Sequence, residues 1–309
     1  MSLPDAFAGR LRLPAIASPM FLVSGPDLVV ETCRAGMIGA FPALNQRSSE
    51  GFRDWLREIR ARLADTPDAA PFAVNLIVHN SNPRLMADLA ICAEEKVPLV
   101  ITSLGAVRDL VDHVHGYGGL VFHDVIKARH GQKAAEAGVD GIIAVAAGAG
   151  GHAGTLSPFA LVTELRRFFD KTIVLAGAIN TGGQVLAAQA MGADMAYLGT
   201  RFIATRESLA QPEYKQMIVG AAAGDVVYTD AISGVSANFL RDSIRAVGLD
   251  PDNLAKHGDL NMDEEAKAWK TVWSAGHGVA GIDDIPAAAD LVARLIAEYQ
   301  DARKRLAGI

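Results

Sequence analysis

Two cysteines in 309 residues, Cys33 and Cys92, are too few for a disulfide framework. Both fall in apolar, helix-like patterns, which predicts free buried thiols in a reducing compartment, with the cytoplasm as the expected location. There is no basic excess: 29 Lys and Arg stand against 35 Asp and Glu, a formal net charge of -6. A non-specific polyanion-binding surface is therefore not expected, and no nucleic-acid role is assigned. No apolar run approaches the roughly eighteen residues of a membrane span, and Met1-Ser-Leu-Pro-Asp lacks a basic region leading into an apolar core. Neither a membrane anchor nor a removed leader is expected. Also missing are a nucleophile elbow, a GxxxxGK[ST] loop, a paired Cys-x-x-Cys and a GxGxxG with an acidic ribose partner. Their absence removes the commonest hydrolase, NTPase, dithiol and dinucleotide-fold readings.

What the chain has is hydrophobic residue, 50% of the total, enough to bury a large core. Short apolar runs alternate with amphipathic stretches over the first two hundred residues, the pattern of repeated βα units. Eight candidate strands lie near Ala15–Ser18, Met37–Ala40, Phe72–Val78, Leu99–Thr102, Leu120–His123, Gly141–Ala146, Thr172–Ala176 and Met195–Leu198. Helical patterns run between them, among them Phe52–Leu63, Pro83–Glu95, Val125–Ala137, Pro158–Phe169 and Gly182–Met191. Eight strands each followed by a helix predict a closed (β/α)8 barrel, a TIM barrel, over residues 1–206. Beyond Arg206 the strand rhythm stops. Residues 207–279 read as a smaller helical subdomain covering the substrate, and 280–309 as an amphipathic helix that packs back on the barrel.

The densest chemical signal is Gly148-Ala-Gly-Gly-His-Ala-Gly154, directly after the sixth candidate strand. It places one ionisable side chain, His152, in a loop at a strand's carboxyl end, where α/β folds put their active sites. Two readings stand: a ring held by a carbonyl in a tight loop, or a base whose small neighbours leave room for substrate and cofactor. Two further loops, Ala176-Gly-Ala-Ile-Asn-Thr-Gly-Gly and Tyr197-Leu-Gly-Thr-Arg201, follow the seventh and eighth strands. Their small residues either make tight turns or let backbone N–H groups approach a phosphate, at the place where barrels commonly bind one.

Asn75, near the end of the third strand, is a turn residue or a contact for the edge of a planar ring. Ser18, Pro19 and Met20 end the first strand, where Met20 offers an adaptable apolar contact to a cofactor face. His123, beside Asp124, reads equally as structural or as lining the mouth. His113 and His115 read as solvated residues in a glycine-rich connection. With His79, His130, His257 and His277 they form no metal-ligating pattern, so no metal is predicted.

Gly150-Gly-His-Ala-Gly154, Ala176-Gly-Ala-Ile and Tyr197-Leu-Gly-Thr-Arg-Phe202 together resemble the nitronate monooxygenase family, formerly the 2-nitropropane dioxygenases. Ser18-Pro-Met20, Pro71-Phe-Ala-Val-Asn-Leu76 and Ser233-Gly-Val-Ser-Ala-Asn238 support the resemblance. It implies a barrel holding non-covalent FMN, contacted by Met20, Asn75, Gly150, Gly151, Gly177, Ala178, Gly199 and Thr200, with His152 acting on substrate. It implies an oxidoreductase that turns an alkyl nitronate and O2 into a carbonyl compound and nitrite. NAD(P)H-dependent quinone reductases and enoyl-ACP reductases with similar motifs are the alternative. Three positions depart from the family pattern: Val145 where many relatives carry glutamine, Asp124 where some carry lysine, and Ala178 for a frequent glycine. The resemblance carries over the cofactor more firmly than the substrate.

Overall fold

The computed structural model describes residues 2–105, 107–232, 234–254 and 270–308. Ser233 and His257, named above, lie outside the described residues. Eight parallel strands close a barrel: β1 (Ala15–Ala17), β2 (Ile38–Pro42), β3 (Ala73–Ile77), β4 (Leu99–Ser103), β5 (Leu120–Val125), β6 (Gly141–Val145), and, after a short β7 (Gly151–His152) that stands outside it, β8 (Thr172–Ala176) and β9 (Met195–Leu198). The last strand returns to the first, with Ile16 opposite both Ile38 and Tyr197. The sequence pattern thus predicts the eight barrel strands in their observed order.

Alternation along these strands divides the apolar residues between two cores. Ile16, Ala40, Leu99, Ile101, Phe122, Ile143, Val174 and Met195 fill the barrel interior. Val74, Val100, Val121, Val125, Ile142, Ile173 and Leu198 face the helices. The amino-terminal segment closes one end, Phe7 meeting the edge of Phe122 at 6.1 Å between ring centroids. Ser2 and Thr172 are hydrogen-bonded at that same end. The carboxyl ends of the strands therefore form the open mouth. Cys33 and Cys92 are buried free thiols, and burial pushes Cys33 up to about 12.

Helices begin where the sequence supplies caps. Ser48 accepts from Gly51 N ahead of Ser49–Leu63, and Thr181 with Gln184 forms a reciprocal capping box at Gly182–Ala190. His113 and His115 lie on a helix, Arg108–His115, rather than in a loop; both are exposed, and His115 Nε2 pairs with Asp140 at 2.8 Å. The final helix, Ala288–Ala307, buries Leu291, Val292, Leu295 and Tyr299 against Gly182–Ala190 and Pro26–Arg34. Among the described residues, no helix is long and apolar enough to cross a membrane.

Residues 211–279 hold the helices Pro212–Gly220 and Arg241–Ala246, but they also hold an antiparallel hairpin, β10 (Val226–Thr229) and β11 (Ala237–Leu240). A purely helical reading of this segment is corrected by those strands. Val226-Val-Tyr-Thr229 is β-branched and aromatic, and it is too short to have registered against the surrounding helical pattern. The hairpin matters because β11 pairs with β7, placing Ala237 opposite His152 and Asn238 opposite Gly151.

Candidate active site

His152 therefore rides on a short strand rather than in an open loop. Four further contacts hold its flanks. Gly151 N donates to Ser274 Oγ at 2.6 Å, Asn238 Nδ2 to Ala149 O at 2.6 Å, Tyr228 O–H to Ala153 O at 3.2 Å and His277 N to Gly148 O at 2.9 Å. The glycines serve this packing as well as the pocket. Gly148 and Gly151 have φ of +84° and +69°, which only glycine adopts without strain. A Cβ on Gly150 would lie 2.9 Å from Gly276 N and 3.3 Å from Thr200 Oγ1. A Cβ on Gly154 would lie 2.6 Å from Val145 O and 3.1 Å from Ile126 Cβ, so the loop folds back over the ends of β5 and β6.

The two other glycine loops meet the first at the same mouth. Gly199 follows β9 and faces β1: a Cβ there would lie 2.7 Å from Ser18 Oγ and 3.7 Å from Met20 Sδ. Thr200 Oγ1 accepts from Gly276 N at 2.9 Å. Gly177 and Ala178 follow β8, and Ala178 N reaches Gly148 O at 3.3 Å. The structure thus brings together Met20, Gly150, Gly151, Gly177, Ala178, Gly199 and Thr200 at the carboxyl ends of β1, β6, β8 and β9. Sequence reasoning missed the segment that ties them, Ala275-Gly-His-Gly278, which is anchored by Asn180 Nδ2 to Gly278 O at 2.8 Å and to Ala280 O at 2.5 Å. A histidine flanked by glycines, as in the His152 loop, was the signal for it.

Asn75 takes its place on the opposite wall, among polar side chains from neighbouring strands. Its amide donates to Ile101 O at 3.2 Å and Ser103 Oγ at 2.8 Å, and Ser103 Oγ lies 2.5 Å from Asp124 Oδ2. Both amide protons are thereby committed within the protein, leaving the carbonyl oxygen as the part of Asn75 that can meet a ligand. Ser103 and Tyr197 were absent from the sequence-based set, because a lone serine or tyrosine at a strand end carries no spacing signal. Strand parity settles their direction: Asp124 shares the interior face with Phe122, Tyr197 with Met195, and Val145, also on the inner wall, with Ile143.

The same parity turns His123 away from the mouth. It lies with Val121 and Val125 on the helix-facing side, 2.8 Å from Thr102 Oγ1. Burial lowers its pKa to about 4, so the ring is neutral near pH 7. Asp124 moves the opposite way. Burial raises it to about 6, while the Ser103 hydrogen bond and the His152 charge pull it back. Burial, with the nearby Asp124, raises Tyr197 well above its ordinary value, so its phenol stays protonated. Among the described residues, no three His, Cys, Asp or Glu side chains are grouped to hold a metal ion.

A closed parallel barrel whose mouth combines glycine-lined backbone on one side with a histidine and a buried polar chain on the other is an α/β-barrel enzyme. The sequence profile of the Nitronate monooxygenase family matches residues 81–298, and the chain belongs to that family of flavin-dependent oxidoreductases. A nitronate monooxygenase of Paraburkholderia phytofirmans is 28% identical, the match spanning 95% of this chain and 94% of the relative. Another, from Pseudomonas aeruginosa, is also 28% identical over 74% of this chain and 77% of its own. Among solved structures, nitroalkane oxidase from Streptomyces ansochromogenes is similar at a TM-score of 0.84 and 25% identity, over 98% of this chain and 100% of that one. FabK from Thermotoga maritima is similar at 0.81 and 25%, over 97% and 96%.

Proposed function

We propose that this chain is an FMN-dependent nitronate monooxygenase, oxidising alkyl nitronates with O2 to carbonyl compounds and nitrite. The observation that carries the reading is the convergence of the His152 strand with the Gly177–Ala178 and Gly199–Thr200 loops at one barrel mouth. The residues present fit the cofactor. Gly199 follows β9 with no room for a Cβ against Ser18, which brings its backbone close to the end of β1, and the Met20 thioether beside it offers an apolar face to a flat ring. Gly177, Ala178, Gly199 and Thr200 would hold the phosphate; Met20, Asn75, Gly150 and Gly151 would border the ring.

Bound there, FMN supplies an electron acceptor for the substrate and an electron donor for O2. The chain supplies the rest. His152, fixed by pairing with β11, orients the substrate and exchanges a proton with it, while the hairpin shields the mouth from water. His152→Asn should retain FMN binding and lose on the order of 10²- to 10⁴-fold in turnover. Nitronate-dependent O2 uptake and nitrite release, with FMN content read by visible absorbance, check this. Unchanged turnover would remove His152 from the site.

One observation favours a second reading. The likeness to FabK spans nearly the whole chain. An NAD(P)H-dependent quinone or enoyl-ACP reductase on the same FMN barrel is the corresponding activity, separated by assaying nitronates, quinones and NAD(P)H in parallel.

A further inference from the structure

The hydrogen bonds around Asp124 fix where its proton can sit. Asn75 Nδ2 faces the carbonyl oxygen of Ile101, which accepts only from a donor, so that atom is the amide nitrogen and its other proton goes to Ser103 Oγ. The Ser103 hydroxyl, already an acceptor, has one proton to give, and it gives it to Asp124 Oδ2. Oδ2 is thus an acceptor whether or not the carboxyl is ionised. A proton carried by the acid belongs on Oδ1. That oxygen is buried and has no hydrogen-bond partner among the described residues, a costly arrangement unless a ligand completes it.

Oδ1 is enclosed at the barrel mouth, under the His152 loop. Phe122 and Asp124 share the interior face of β5, and the His152 loop folds over that strand end through Gly154 and Ile126. The ionisable groups that interact with it are His152 on β7 and Tyr197 on β9; Ser103 on β4 and Asn75 on β3 are neutral, Val145 on β6 is apolar, and His123 faces the helix layer.

We propose that Asp124 selects the charge of the substrate: protonated, its Oδ1 donates a hydrogen bond to an anionic or carbonyl oxygen held beside His152, and ionised, it repels an anion. The inference rests on the functional reading above only in taking the barrel mouth as the substrate site. The substrate class it names is a molecule presenting an unprotonated oxygen acceptor to that atom. Because burial places the Asp124 titration at about 6, acid and carboxylate forms exchange within the ordinary working range. Anion affinity is high below that point and lost above it.

Nitrate, a flat singly charged anion whose own charge is constant from about pH 5 to about pH 8, is a suitable probe. Titrated calorimetrically into the FMN-loaded protein, it should bind with a dissociation constant that rises about tenfold per pH unit above the Asp124 titration. Asp124→Asn, whose amide can donate at every pH, should flatten that dependence. Ser103→Ala removes a hydrogen bond that favours the carboxylate and should shift the loss of affinity to higher pH. In protein labelled with ¹³C at aspartate carboxyls, one resonance should titrate at about 6 and vanish in Asp124→Asn. This last reading needs neither flavin nor turnover. Absent nitronate oxidation with the carboxyl titration and nitrate dependence intact would sink the proposed activity and leave Asp124 standing. An unchanged slope in Asp124→Asn, a slope lost in His152→Asn alone, or no nitrate binding at any pH would overturn the inference.

Discussion

Ala178 has a φ of +54°, a left-handed conformation that costs a residue with a Cβ about 1–2 kcal/mol. Its backbone is pinned there by Ala178 N to Gly148 O and by the close passage of Gly278, whose Cβ would lie 3.6 Å from Ala178 Cα. Ala178→Gly should therefore stabilise the folded protein by roughly 0.5–1 kcal/mol, the gain reduced by the greater freedom of glycine in the unfolded chain. Urea unfolding checks this, and a loss of stability would mean that the strain is not there. At this scale the sequence was legible where a side chain stood out against small neighbours, as His152 does. It was not legible where a residue's meaning depends on which face of a strand it occupies. Asp124 and His123 are adjacent and were read together, yet one faces the pocket and the other the helix layer.

At the scale of elements, the β10–β11 hairpin positions His152, since among the described residues β7 pairs with no strand but β11. Asn238 secures the junction: its side chain is buried and donates to Ala149 O at 2.6 Å. Asn238→Ala leaves that carbonyl short of its partner and should cost about 1–3 kcal/mol. It should also raise amide hydrogen exchange across 148–152 while leaving the barrel strands protected. Equal exchange in the variant and the parent would show that the hairpin does not hold the loop. The strands of the barrel were legible because each is a short, largely apolar run set between helical patterns. The hairpin was not, because β7 spans two residues whose strand character comes from a partner some eighty-five positions away.

For the whole molecule, two buried groups on β5 oppose each other in pH. Asp124 has a folded pKa of about 6, above its ordinary 3.8, so its contribution to stability is complete below about pH 4 and declines as pH rises to about 6. His123, depressed from 6.5 to about 4, acts in reverse, and its stabilising neutral form is lost as pH falls through that window. Between about pH 4 and pH 6 the two nearly cancel. Asp124→Asn removes one, so its melting temperature should climb with pH across this range more steeply than that of the parent. Parallel curves would mean that Asp124 carries no such shift. Fold class and the glycine cradle are written in the sequence as local patterns, whereas the closing segment 274–280 and the polar chain from Asn75 to Asp124 exist only once distant strands are neighbours.

The proposed activity requires the barrel mouth to hold FMN and a nitronate together beside His152. Anaerobic addition of ethyl nitronate to the FMN-loaded protein tests that most directly. The visible flavin absorbance should bleach without NAD(P)H and return on admitting O2. Bleaching by NADH or NADPH alone, with no response to the nitronate, would contradict it.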